Sequence, residues 1–170
     1  MRALIHLVLL AVLTACASAP ATGPRFTALT PISNDRANIY ILRPHNDFGR
    51  GVWPNILFNG TKVAGLPDST YTLVQALPGA YAISTEKSQL VSGGWNIKGD
   101  IQVEGGKAYF LMLSRETKKV STLMPAGAAF IPSNGTQISW EGWVPLDIRD
   151  AEPMLTNLDF VKPQIELLMK

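Results

Sequence analysis

A chain of 170 residues with 46% hydrophobic and 16% charged side chains is long enough for one domain with a sizeable core, and too apolar to remain disordered. Its formal net charge is +2, part of which comes from Arg2 in a segment expected to be removed, and Lys118-Lys119 is its only adjacent basic pair. That near-neutral balance excludes the electrostatic footprint of a nucleic-acid binder.

Residues 1–15 read as a signal segment: one basic residue, then an almost unbroken apolar run from Ala3 to Leu13. The run is too short to cross a bilayer as a helix, which needs about 20 residues. It ends in Leu13-Thr14-Ala15-Cys16, which resembles the bacterial lipobox. In lipoproteins of that kind the cysteine sulfur receives a diacylglyceryl group, the signal is cut before it, and the new terminus is acylated with palmitate-type chains. Cys16 is the single cysteine of the chain, and lipidation explains it. Each buried CH₂ contributes about 0.8 kcal/mol, so two or three acyl chains anchor a protein essentially for good. Ala17-Ser18 follow in place of an aspartate that would hold a lipoprotein of this kind in the inner membrane. The expected address is therefore the outer membrane, facing the periplasm. Residues 16–36 read as the lipidated cysteine and a flexible tether, since Ala, Ser, Thr, Gly and Pro dominate Ala17 to Pro31.

The folded part is expected over residues 37–147. Ala37 to Arg43 is a strand apolar on both faces, Ile39 and Ile41 on one and Tyr40 and Leu42 on the other, the pattern of a central strand. Val52 to Thr85 reads as consecutive hairpins, turned at Asn59-Gly60, Pro67-Asp68-Ser69 and Pro78-Gly79. Pro54 demotes its surroundings to an edge or a bulge. Ile101 and Val103 alternate with polar residues, Gly105-Gly106 turns, and Lys107 to Ser114 is the most apolar strand. Arg115 to Gly135 is broken by Pro and Gly, and a short strand or hairpin is expected inside it. Thr136 to Leu146 is the last predicted strand, with Ile138, Trp140 and Val144 on the core face and Trp143 outward. Residues 148–170 form a C-terminal extension expected to pack on the domain or on a partner. In it Asp150 caps a short helix, Pro153 sits in the first turn, and a second apolar piece follows Pro163. Short strands at close spacing with little helix predict an all-β fold, an antiparallel β-sandwich or open barrel of about seven to nine strands with a short C-terminal helix or extension.

Several motifs in this order carry a resemblance: Arg43-Pro44 ending the first strand, Phe58-Asn59-Gly60-Thr61-Lys62-Val63, Leu77-Pro78-Gly79-Ala80-Tyr81, and Gly106-Lys107-Ala108-Tyr109-Phe110. Together they resemble the bacterial domain of unknown function 2846 family across about Ala37 to Ser114, and more weakly the PEGA-type surface β-domains. Members of the first family are often lipoproteins, in keeping with Cys16. Neither resemblance implies a catalytic residue.

Chemistry-bearing residues are sparse. Beyond the signal the one histidine is His45, so a protein-built zinc site is not expected and no cofactor is. A Ser-His-Asp arrangement would need His45 with Asp47 or Asp68. Carboxylates that could pair for glycoside hydrolysis, Asp68, Glu86, Asp100, Glu104, Glu141 and Asp147, fall mostly at strand ends. Trp53, Trp95 and Trp143 are the suggestive set, because exposed indoles serve as platforms for sugar rings or protein partners. The expectation is a non-enzymatic envelope lipoprotein that binds an envelope protein or supports an assembly. The alternative is a glycan- or peptidoglycan-binding module using those tryptophans, and a carboxylate hydrolase comes last.

Overall fold

A computed structural model describes residues 23–46, 53–86, 96–120, 123–126, 129–132 and 136–168, with backbone alone over 115–141. The fold is all-β, two packed sheets that do not close into a barrel, with one short helix. Strand β1 (Ala37–Arg43) is its centre, buried at every position. β4 (Thr70–Ala76) lies antiparallel on one side of β1 and β7 (Ala108–Val120) lies parallel on the other. β10 (Thr136–Leu146) continues that sheet beyond β7. The second sheet has the order β3 (Thr61–Gly65), β2 (Asn55–Phe58), β5 (Gly79–Glu86), β6 (Lys98–Val103). A separate ribbon, β8 (Leu123–Ala126) with β9 (Ala129–Pro132), occupies the segment where a hairpin was expected.

The sandwich is therefore mixed rather than wholly antiparallel. Chain polarity reverses at each turn from β1 to β7. Six reversals bring β7 back to the direction of β1, so the two are parallel once they are neighbours.

Local chemistry sets the turns. Asn59 and Gly60 have φ of 48° and 78°, the two positive values a type I′ turn requires, and Asn59 Oδ1 accepts the Ala82 N–H at 2.9 Å. Pro54 stands just outside β2, an interior strand whose register shifts between Ile56 and Leu57. The proline needs no ladder donor there, and its carbonyl accepts the Leu66 N–H at 3.0 Å.

Two cores result. Between the sheets, Ile39, Ile41, Val74 and Leu113 meet Ile56, Phe58, Tyr81 and Ile83. On the outer face of the β1 sheet, Tyr40, Leu42, Tyr71 and Phe110 are covered by helix α1 (Ile148–Leu155), through Ala151 and Leu155, and by Phe26. Asp147 rather than Asp150 caps α1, accepting the Arg149 N–H at 3.0 Å, and Pro153 lies in the last turn instead of the first. The cap falls earlier because Ile148 already has helical backbone, which leaves Asp150 as the acidic residue of the first turn.

One expectation from composition is corrected. Residues 17–22 lie outside the described residues, but the rest of the expected tether is docked. Phe26 is 8% exposed between Tyr40 and Tyr71, the Thr30 N–H donates to Tyr40 Oη at 2.8 Å, and Asn38 Nδ2 donates to the Thr30 carbonyl at 2.9 Å. One aromatic side chain outweighs the polar bias of its neighbours. Of the two placements expected for the C-terminal extension, the described residues 148–168 take the first and pack on the domain. β11 (Asp159–Phe160) and β12 (Leu167–Leu168) both pair parallel with β4, and Leu168 enters the inter-sheet core.

Candidate functional site

β6 and β10 are free edges of different sheets, and the sandwich is open between them. A cleft of about 610 Å³ lies along this opening. Its floor includes Tyr109, Leu111 and Trp143, and its β6 wall carries Lys98, Asp100 and Gln102, all three exposed.

Trp143 is opposite Leu113 in the β7–β10 register, so it shares the inward face with that core residue. The expected outward direction is overturned. Gln137, Ser139 and Glu141 share the parity of Trp143, so alternation alone points it to solvent, and the pairing with Leu113 overrides that pattern. Leu146, of the opposite parity, joins the outer core instead. The indole lies over Gly99, where an added Cβ would come within 3.1 Å of Trp143 Cδ1. Glycine at that point lets the ring settle between the sheet edges. The Trp143 Nε1–H is buried and has no hydrogen-bond partner. A half-buried ring flanked by an exposed cation, carboxylate and amide can stack on a ligand that those three groups hydrogen-bond.

The other sequence-derived candidates do not converge there. Trp53 is 39% exposed ahead of β2 and does not line the cleft. Trp95 and Cys16 lie outside the described residues. The side chain of Glu141 lies outside the described residues, and of the other five carboxylates considered only Asp100 borders the cleft. Glu104 pairs with Lys107 at 2.7 Å, Asp147 caps α1, and Glu86 accepts from Asn55 at 3.0 Å. Lys98 and Gln102 carried no signal in the sequence beyond strand alternation.

His45 and Asp68 do meet, with Nδ1 and Oδ2 2.6 Å apart. Asp68 Oδ1 also accepts the Asn46 N–H at 3.0 Å, so this carboxylate ties the loop after β1 to the turn before β4. Ser69 Oγ stands 3.5 Å from the same ring nitrogen and 3.2 Å from Asp68 Oδ2. A proton relay places acid and nucleophile on opposite ring nitrogens. Here both sit on Nδ1, a clamp rather than a relay. Among the described residues no group of three or more His, Cys, Asp or Glu side chains could hold a metal, and no helix is long and apolar enough to cross a membrane.

Residues 33–127 match the family described as Protein of unknown function (DUF2846). The chain belongs to this family. The match contains the stretch whose motifs carried the resemblance and extends through β8. In this DUF2846 protein the cleft is thus composite: β6 and β7 start within the matched region, whereas Trp143 comes from beyond it. A search of curated proteins gives no match.

Proposed function

We propose that this DUF2846 protein is a bacterial cell-envelope lipoprotein, held at the membrane through Cys16, whose β-domain is a non-catalytic binding or assembly-accessory module. The cleft between β6 and β10 is its partner-binding surface. The observation that carries this reading is an open cleft floored by the half-buried Trp143 ring and walled by the exposed Lys98, Asp100 and Gln102. The anchor rests on the sequence around Cys16, and Ala17-Ser18 after it favour the outer membrane, facing the periplasm. Six residues separate Cys16 from Gly23, a reach of at most about 25 Å, so the domain works close to the bilayer rather than on a long leash.

The test is site-specific photo-cross-linking in living cells on the full-length chain, with the reactive group at Gln102 and, as a control, at Trp53. Capture of one envelope protein from Gln102 and not from Trp53 supports the reading. Equal capture from both positions, or none, overturns the cleft as the partner surface.

A second reading has its own support. A sugar ring stacked on Trp143, with hydroxyls meeting Asp100 and Gln102, would make the protein a glycan- or peptidoglycan-binding module. Soluble cell-wall fragments should then quench tryptophan fluorescence saturably, and Trp143→Phe should weaken binding on the order of tenfold while Trp53→Phe does not. Identical responses from the two variants would dismiss it.

A further inference from the structure

The edges of the two sheets are not equally guarded. β4 is capped by β11 and β12, the Val63 carbonyl of β3 is taken by the Gln164 N–H at 2.7 Å, and β10 carries Pro145, which has no N–H to offer. β6 has no proline and no inward-pointing charge, and its ladder with β5 runs without a register shift from Lys98 to Val103. Proline, buried charge and bulges are the devices by which an edge refuses a neighbour. The two charges that β6 does carry, Lys98 and Asp100, are opposite in sign and stand on its exposed face.

Two hydrogen bonds fix which backbone groups of β6 face outward. The Asn59 N–H donates to the Ala82 carbonyl at 2.8 Å, so Ala82 turns its backbone groups toward β2. The Thr85 N–H donates to the Ile97 carbonyl at 2.9 Å, so Thr85, Ile83 and Tyr81 turn theirs toward β6, where they meet Ile97, Gly99 and Ile101. Backbone direction alternates along a strand, so the N–H and C=O groups of Lys98, Asp100 and Gln102 face away from β5 into the open side. Among the described residues no strand pairs with them there.

We propose that β6 pairs antiparallel with β6 of a second copy of this chain about a two-fold axis at Gly99, joining the two 4-stranded sheets into one. This names the occupant of the β6–β10 cleft and rests on its reading as a partner-binding surface. The charges select the register. Centred on Gly99, Lys98 lies opposite the partner's Asp100, Asp100 opposite the partner's Lys98, and the exposed amides of Asn96 and Gln102 face each other. Centring on Asp100 or on Lys98 sets like charges face to face, and centring on Ile101 leaves Asp100 without a cation. Gly99 turns its backbone groups to β5, so at the axis the glycines of the two copies form a close pair, with Cα atoms about 4.5 Å apart. Trp143 lies over Gly99 on the inward side, so the same register brings the two indoles together and closes the open side of both sandwiches.

The experiment places a photo-reactive group at Gln102 of the full-length chain in living cells and reads the adduct of the chain with itself. It is made in the wild-type background, in Lys98→Asp, in Asp100→Lys and in the double exchange. Both side chains are exposed, and thermal unfolding of each purified chain verifies its fold. A self-adduct that falls on the order of tenfold in each single exchange and returns in the double exchange establishes the pairing and its register. A self-adduct indifferent to the exchanges overturns it. Capture of a different envelope protein, with no self-adduct, also overturns it but leaves the cleft as a partner surface. No adduct of any kind overturns both readings.

Discussion

Phe26→Ala separates a docked N-terminal segment from a free one. Burying an aromatic side chain of this size contributes about 1.5–3 kcal/mol. Its edge-on contacts with Tyr40 and Tyr71, at centroid distances of 6.3 and 6.2 Å, add about 0.5–1.5 kcal/mol each. Because the segment is terminal it can peel away and relax, which holds the loss to about 3 kcal/mol, the low end for a buried phenylalanine. For a chain of this length that corresponds to a fall in Tm of about 6–12 °C. Thermal unfolding of the full-length protein measures it, with limited trypsin cleavage after Arg25 and Arg36 as a local readout. Cleavage should accelerate in the variant, since the Thr30–Tyr40 and Asn38–Thr30 hydrogen bonds depend on the same docking. A shift under about 2 °C, with Arg25 and Arg36 cut as fast in the wild type as in the variant, would refute the reasoning and restore the flexible tether.

Three glycines make a ranked set. Gly105→Ala places a Cβ 2.2 Å from the Asn34 carbonyl oxygen, so backbone must move and the urea midpoint should fall most. Gly60→Ala meets no atom but forces φ of +78° on an L-residue, a cost of about 1–2 kcal/mol, while Gly142→Ala has free space and should stay within about 0.5 kcal/mol of wild type. Any other order contradicts the turn assignments. Asp68→Asn should cost about 1 kcal/mol and speed exchange of the Asn46 amide; unchanged exchange would mean that the loop is held by something else. Burial above all, then Tyr40, raises the Tyr71 phenol above 10.0, so the folded state favours its protonated form. That stability is whole below about pH 10 and is lost as pH rises through the folded-state value. Urea midpoints should therefore drop in that alkaline window, and Tyr71→Phe should drop less, Tyr81 retaining its own burial-driven share. Parallel curves would count against it.

Much of the fold was legible because short signals were unambiguous. The run from Ala37 to Arg43, apolar on both faces at Ile39 to Leu42, could only be a covered strand, and both ends of that strand and of Thr136–Leu146 fall where Pro, Gly and polar neighbours place them. Asn59-Gly60 named its own turn. Features set by the partner rather than by the segment were not legible. Trp143 shares its parity in β10 with Gln137, Ser139 and Glu141, so its inward direction follows only from pairing with Leu113, a contact distant in sequence. Phe26 is one aromatic residue among small polar ones, and only the Tyr40–Tyr71 surface gives it a place. β11 and β12 have two residues each, too short for any periodicity to register. The same holds for the cleft, whose walls come from β6, β7 and β10 and exist only once the two sheets have packed.

The pairing of β4 with β11 and β12 also sets a schedule. Its outer edge is capped by residues 159–168, the last described stretch of the chain. At ribosomal speeds, the interval between the emergence of Ala76 and of Leu168 is roughly 5–20 s. During that time a strand that will be interior offers unpaired donors and acceptors to any neighbour, the situation in which strands recruit the wrong partner. A nascent chain of this design cannot complete its main sheet early, however quickly the β2–β6 hairpins form. That edge of the sheet stays open until residues 159–168 are made.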